Sequence, residues 1–303
     1  MAFKKLTDKL FAVLLLAVIT SATDLSVKSD IFAKAVYKHL SEEGKNSVFS
    51  PLSLHVVLAL AYQGSSGHTE QILRKYFLSK SSTSNDYQVL LKDLKTAKNL
   101  SMEIANKIYA SNDGQFKKEF ENIAKDKFLA EVDSVDFRQN QLAANKINDW
   151  VKEKTHDKIK KLVSADDFGD DTRSVLLNAI YFKEEWESKF NKNRTRTEKF
   201  YLDDTHTVNC PMMYRYGSTS MTKSGDLDAT LLRLKFRNRR FNLIIVIPKT
   251  KTGIRRLEEK LPTTDFAALT RNMWSGLSEV YLPRFKIESE YDFEKPFEQE
   301  SPI

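Results

Sequence analysis

The chain has 303 residues, 41% of them hydrophobic and 29% charged, with a formal net charge of +7. Those proportions exclude a disordered chain, and nine Gly and seven Pro are too few for a collagen-like or linker protein. Nineteen Phe and this length supply one large core or two ordinary ones.

The chain opens on Lys4, Lys5 and Lys9, then the apolar run Leu10 to Ile19, then the small residues Thr20, Ser21 and Ala22. This is the pattern of a secretory signal peptide over residues 1–22, followed by a single domain over 23–303. A buried N-terminal helix is the alternative reading. The run is too short for a helical membrane span, and no other run approaches that length, so we expect a secreted, extracellular chain with no membrane partner. Cleavage after Ala22 removes three lysines and one aspartate and brings the charge from +7 to +5. Cys210 is the only cysteine, so a large core rather than internal disulfides must stabilise the chain. Asn99-Leu100-Ser101 and Asn193-Arg194-Thr195 are candidate glycan acceptors in that compartment.

Helical signals come first. Ile31/Phe32, Ala35/Val36 and Leu40 share one stripe. Ser50-Pro51 opens a second helix over Leu52–Tyr62, because serine caps free amides and proline suits the first helical position. Leu54, Val56, Val57, Leu58 and Leu60 leave that helix almost no polar face, so it should be buried all round, with Gly64 and Gly67 ending it. Ser79 to Asn85 reads as a polar loop. Ala143, Ala144, Ile147, Trp150 and Val151 predict another helix, with Lys152, Lys154 and Lys158 on its wet side.

Strand signals follow. Ser174–Phe182 is nearly all apolar, as for a strand covered on both faces. Leu232, Leu234 and Phe236 alternate with Arg233, Lys235 and Arg237, the pattern of a half-buried strand. Phe241–Ile247, closed by Pro248, reads as a central strand, and Tyr281, Pro283, Phe285 and Ile287 as one face of another. Helices in the first half and strands in the second, without alternation, favour an α+β fold with large sheets over a doubly wound one.

These residues also resemble a known family. Asn46-Ser-Val-Phe-Ser-Pro-Leu-Ser53 with Gly64, Gly67 and Thr69 is similar to the opening signature of serpins. Ile147-Asn-Asp-Trp-Val151 with Thr155 and Ile159, and Val175–Phe182 with Trp186, Phe190, Thr197 and Phe200, match further serpin stretches in order. Met212-Met213 and Leu282–Ile287 continue the match, so the resemblance covers nearly all of residues 25–297. Glu184 departs from it, standing where the family usually has glycine. The resemblance implies a multi-helix domain with large mixed sheets and a mechanism without catalytic residues. A protease cuts an exposed bait loop and becomes acylated, and the loop then inserts as a strand into the central sheet. Ser50, Ser53 and Asn178 match the family's polar cluster beneath the sheet opening, and Trp186 matches the tryptophan near the point where insertion begins.

Read physically, Asn178 inside an apolar strand needs hydrogen-bond partners, since an unpaired buried amide costs about 1–3 kcal/mol. The hydroxyls of Ser50 and Ser53 are the expected partners. Ser50 can equally be a helix cap alone, and Trp186 plain core packing. By the same resemblance the family pattern continues beyond Phe297 into a further central strand, the bait loop and two core strands. The expectation is therefore a C-terminally truncated serpin with no assignable reactive bond.

Rival chemistry is thin. The five histidines show no zinc spacing, Gly64-Ser-Ser-Gly67 is not a hydrolase elbow, and no phosphate loop is present. His55 reads as a satisfied core residue and Cys210 as packing rather than a nucleophile. An enzyme, a metal centre and a cofactor are not expected, and no aromatic-basic module points to nucleic acid. Arg233, Lys235, Arg237 and Arg239 on one strand face are a candidate site for sulfated polysaccharide, or a charged face that discourages edge pairing. The expected partner is a serine protease, met by a monomer, only where the full-length product carries a bait loop. The alternative is a non-inhibitory serpin-like binding protein that uses this basic surface.

Overall fold

The computed structural model describes residues 13–17, 32–34, 36–38, 46–77, 80–97, 101–114, 116–202, 205–250, 252–287 and 289. They belong to two compact units, one built mainly from residues 50–183 and the other mainly from 184–296.

The first unit is helical with a small sheet. Helix α1 (Pro51–Gly64) is capped by Ser50, whose Oγ accepts from the Ser53 amide at 3.1 Å, with Pro51 at the first helical position. From residue 51 to residue 63 no position is exposed, so the helix is enclosed as expected. Gly67 does not end α1 but opens α2 (Gly67–Arg74) at φ +61°, a left-handed conformation that glycine adopts without strain.

The serine-rich stretch after Ser79 is the largest departure from expectation. It forms the start of α3 (Lys80–Thr96) rather than a loop. Thr83, Tyr87, Leu91 and Leu94 recur at helical spacing and are all buried, and that face outweighs the poor helix propensity of the serines.

Strand β2 (Met102–Ser111) is followed by α4 (Lys118–Phe128) and β3 (Ala130–Val135), which returns parallel to β2. Helix α5 (Asn140–Lys154) then leads to β4 (Ser174–Phe182), antiparallel to β2, giving the order β3-β2-β4. Ala143, Ala144, Ile147, Trp150 and Val151 of α5 pack with Tyr109, Leu177 and Ala179. The opposite side of the unit holds an aromatic group in which His55 lies 5.0 Å from the Phe32 ring and 4.6 Å from that of Phe77.

The second unit is a sheet in the order β1-β8-β7-β6-β5, with β9 also on β6. The 18-residue β6 (Thr207–Ser224) serves three partners along its length: β5 (Asn191–Tyr201), β9 (Trp274–Pro283) and β7 (Ala229–Lys235). β8 (Asn242–Pro248) is central as expected, between β7 and β1 (Val13–Ala17). Leu231, Ile244, Val246, Leu257 and Leu261 form the core beneath α6 (Ile254–Lys260), and α7 (Phe266–Arg271) adds Phe266 and Leu269. The strand expected around Tyr281–Ile287 lies further upstream. Its buried face carries Val280 and Leu282, while Phe285 is 48% exposed beyond its end.

Lys107, only 9% exposed, joins the sheet of the first unit to α5. It meets Glu131 at 3.2 Å and Asp133 at 3.4 Å, while Lys154 and Lys146 of α5 reach the same two carboxylates at 3.2 and 3.0 Å. The Trp150 indole donates to Glu131 at 3.1 Å. Burial works to raise both carboxyls, but the hydrogen bonds from Lys107 and Lys154 to Glu131, and from Lys146 to Asp133, outweigh it and hold both below the ordinary range.

Groups with depressed folded values lend stability above their unfolded values, near 4.5 and 3.8, and lose it as pH falls through the folded ones. The melting temperature should therefore fall as pH drops below about 4.5, more steeply in wild type than in Lys107→Met, as followed by circular dichroism. Equal acid sensitivity in the two proteins would contradict this account of the network.

Candidate functional site

β4 is the strand on which the sequence motifs converge. It has no charged residue over nine positions. Leu177 and Ala179 face α5, so Leu176, Asn178 and Ile180 face the other side. Asn178 sits opposite Asn106 of β2, and its Nδ2 donates to Asn106 Oδ1 at 2.6 Å. Asn106, 2% exposed, passes the chain of bonds on by donating from Nδ2 to the Phe128 carbonyl at 2.7 Å, at the end of α4.

The expected bonding of Asn178 to the two serines is thus corrected. Ser50 spends its hydroxyl oxygen on the α1 cap, and the amide of Asn178 turns to a neighbour one strand away. Its Oδ1 is buried with no hydrogen-bond partner. Asn106 was not singled out in the sequence, where it stands beside Lys107 as one of two polar residues in the otherwise apolar stretch Ile104–Ala110. His55 is a packed core residue as expected, joined through Nδ1 to the Tyr87 hydroxyl.

Trp186 lies in the second unit. Its ring stacks on Phe236 at 4.5 Å and 13°, and it forms an isolated bridge with the same residue. The structure therefore brings Ser50 and Ser53 together at one helix cap, puts Asn178 on β4 of the same unit, and gives Trp186 an aromatic packing partner.

The four basic residues do not make one open cationic face. Arg237 pairs with Glu185 at 2.9 Å and Arg239 with Glu187 at 2.6 Å, both lying past the end of β7. Arg233 is half-buried and donates to the Thr270 carbonyl at 2.6 Å, whereas Lys235, Arg237 and Arg239 are exposed. Strand β7 itself ends at Lys235, and the chain turns at Arg239 with φ +62°, so Arg237 and Arg239 do not continue its face. Asn193 is exposed on β5, whereas Asn99 lies outside the described residues. Burial pushes the Cys210 thiol up, which suits packing rather than thiolate chemistry.

Fold and site together define an α+β scaffold whose notable feature is a strand edge, not a cluster of reactive side chains. A family model described as serpin (serine protease inhibitor) matches residues 28–300. Antichymotrypsin-2 of Bombyx mori is 36% identical over 251 residues, 82% of this chain and 67% of that protein. Antitrypsin of Bombyx mori is 34% identical over 286 residues, 92% and 73% of the two chains. The structure of cleaved Serpin 42Da superposes with a TM-score of 0.86 at 34% identity, covering 90% of this chain and 74% of that one. The chain belongs to the serpin family. Serpins are protease inhibitors rather than enzymes, and the α+β expectation holds.

Replacing Asn106 by Leu should strand both the Phe128 carbonyl and the Asn178 amide, and cost about 2 kcal/mol or more. Asn178→Leu removes an already orphaned acceptor along with its donor and should cost less. Urea unfolding of both variants checks the order, and the reverse order would count against this bonding pattern.

Proposed function

We propose that the protein is a secreted inhibitor of a serine endopeptidase, and that the outer edge of β4 is where a cut loop is taken up. The carrying observation is β4 itself. Among the described residues it is hydrogen-bonded only to β2, it bears no charge, and it holds the orphaned oxygen of Asn178. Exposed edges are normally blunted by charges, proline or bulges, because they accept further strands. A long uncharged edge suits strand addition, the mode by which an extended segment joins a sheet through main-chain bonds.

In this reading the protease serine attacks a bait carbonyl and the peptide bond breaks. The new amino terminus leaves with the proton, and the bait remains as an ester on the protease. Insertion beside β4 outruns hydrolysis of that ester. Ser50 and Ser53, through the cap of α1, and Asn178 would hold the sheet's closed arrangement, with Trp186 near the start of insertion. The names of the two silkworm relatives favour a chymotrypsin-like or trypsin-like target.

Secretion rests on the lysine-rich start and the apolar run Leu10–Ile19, and exposed Asn193 is open to a glycan. No helix among the described residues is long and apolar enough to cross a membrane.

Incubating the full-length protein with trypsin and with chymotrypsin should give, for one of them, a complex that survives boiling in detergent. Cleavage of the protein with full protease activity retained would overturn the trap. Protein recovered from the medium of expressing cells should begin at Thr23 by N-terminal sequencing, and an intact start would overturn the signal peptide.

A further inference from the structure

Two arginines in the second unit face one cavity in which, among the described residues, no carboxylate pairs with either. The cavity, of about 50 Å³, is lined by Trp186, Ser188, Arg215, Ser220 and Arg233 among others. Arg215, on β6, is 5% exposed. It donates to the Thr219 hydroxyl at 2.9 Å and the Ser218 carbonyl at 3.4 Å, and lies 5.8 Å from the Phe190 ring centroid. None of these partners carries a negative charge. Arg233, on β7, sits directly opposite Ser220 of β6. Its guanidinium donates to the Thr270 carbonyl, and among the described residues its buried Nε has no acceptor.

The other described charges at the cavity do not neutralise the pair. Glu187 also lines it but is held by Arg239 at 2.6 Å, and Lys235 adds a further positive charge. A guanidinium cannot escape burial by losing its proton, and an uncompensated buried charge is strongly destabilising. Burial accordingly pulls both arginines below their ordinary values. Ser188 and Ser220 line the cavity, and the Ser220 Oγ pairs with Ser275 Oγ at 2.9 Å, keeping its own proton to donate when Ser275 is the donor of that pair. A Cβ on Gly217 would lie 3.6 Å from Arg215 Nη1 and 3.9 Å from Ser188 Oγ, so these two groups flank the same bare position.

We propose that this cavity binds one small divalent oxyanion of the sulfate or phosphate type, held between Arg215 and Arg233 with Ser188 and Ser220 as hydroxyl donors. Guanidinium groups present paired donors suited to tetrahedral oxyanions, and a ligand that binds only the folded state stabilises it. The same group could arrive free or as a sulfo group on a sugar. The proposal does not depend on inhibition by the protein.

Thermal unfolding of the full chain tests it, with sodium sulfate replacing chloride at constant ionic strength and a monosulfated disaccharide in a parallel series. The expected result is a saturable rise in melting temperature with sulfate, accompanied by a change in tryptophan fluorescence from Trp186. A response to sulfate alone assigns the free anion, and an equal or larger one to the disaccharide assigns the sugar-borne group. Arg233→Glu places a carboxylate beside Arg215, and should melt higher than wild type without sulfate and bind it about tenfold more weakly or worse. Arg237→Ala should keep the full response. A linear rise shared by every variant is general salting-out and overturns the site, as does no response in wild type. Should Arg233→Glu not fold, equilibrium dialysis of radiolabelled sulfate against wild type decides: saturation near one ion per chain supports the site, and absence of saturable binding removes it.

Discussion

The hydrogen-bonded edge that β4 shares with β2 organises the helical unit. Along it Asn178 meets Asn106, and through Asn106 the pairing is tied to the end of α4. The same strands present Leu177, Ala179 and Tyr109 to α5 on one side, so the sheet cannot shift register without turning apolar side chains toward water. The ion network around Lys107 fastens α5 over the strands it must cover. One edge of β4 is therefore heavily committed, while the other has no partner among the described residues. On the proposed reading, the edge on β2 stays fixed while the other takes up a cut loop.

Much of this was legible in the sequence because the relevant signals are local. Ser50-Pro51 dictates a helix start from two adjacent residues, and the nearly all-apolar run Ser174–Phe182 marks a strand without reference to anything distant, although only Leu177 and Ala179 of it are fully buried. The alternation at Leu232, Leu234 and Phe236 worked for the same reason, and all three are buried. What was not legible depends on partners far away in the chain. The pairing of Arg237 with Glu185 and of Arg239 with Glu187 spans 52 positions, so a strand face that looks uniformly basic is in fact largely neutralised. Asn106 lies 72 positions from Asn178, and only strand register makes them neighbours. The serine-rich start of α3 misled because low propensity is a weak force beside a buried face that includes Tyr87.

Charge in this molecule divides by depth. Glu131 and Asp133 stand at the partly open end of a network with lysines on several sides, where water shares the load and each pair is worth little alone. Arg215 and Arg233 stand where water is scarce and the nearest acceptors are neutral oxygens. Among the described residues the first arrangement closes electrically, and the second does not.

The pairing of Val13–Ala17 with Leu243–Val246 and its neighbours carries a consequence for timing. More than two hundred residues separate the two segments, so at about 5–20 residues per second the ribosome needs roughly ten seconds or longer to deliver the second after the first. During that interval the amino-terminal run has no sheet to join and stands as a bare hydrophobic segment. If it is the signal peptide proposed above, translation order presents it for export before its strand partner exists.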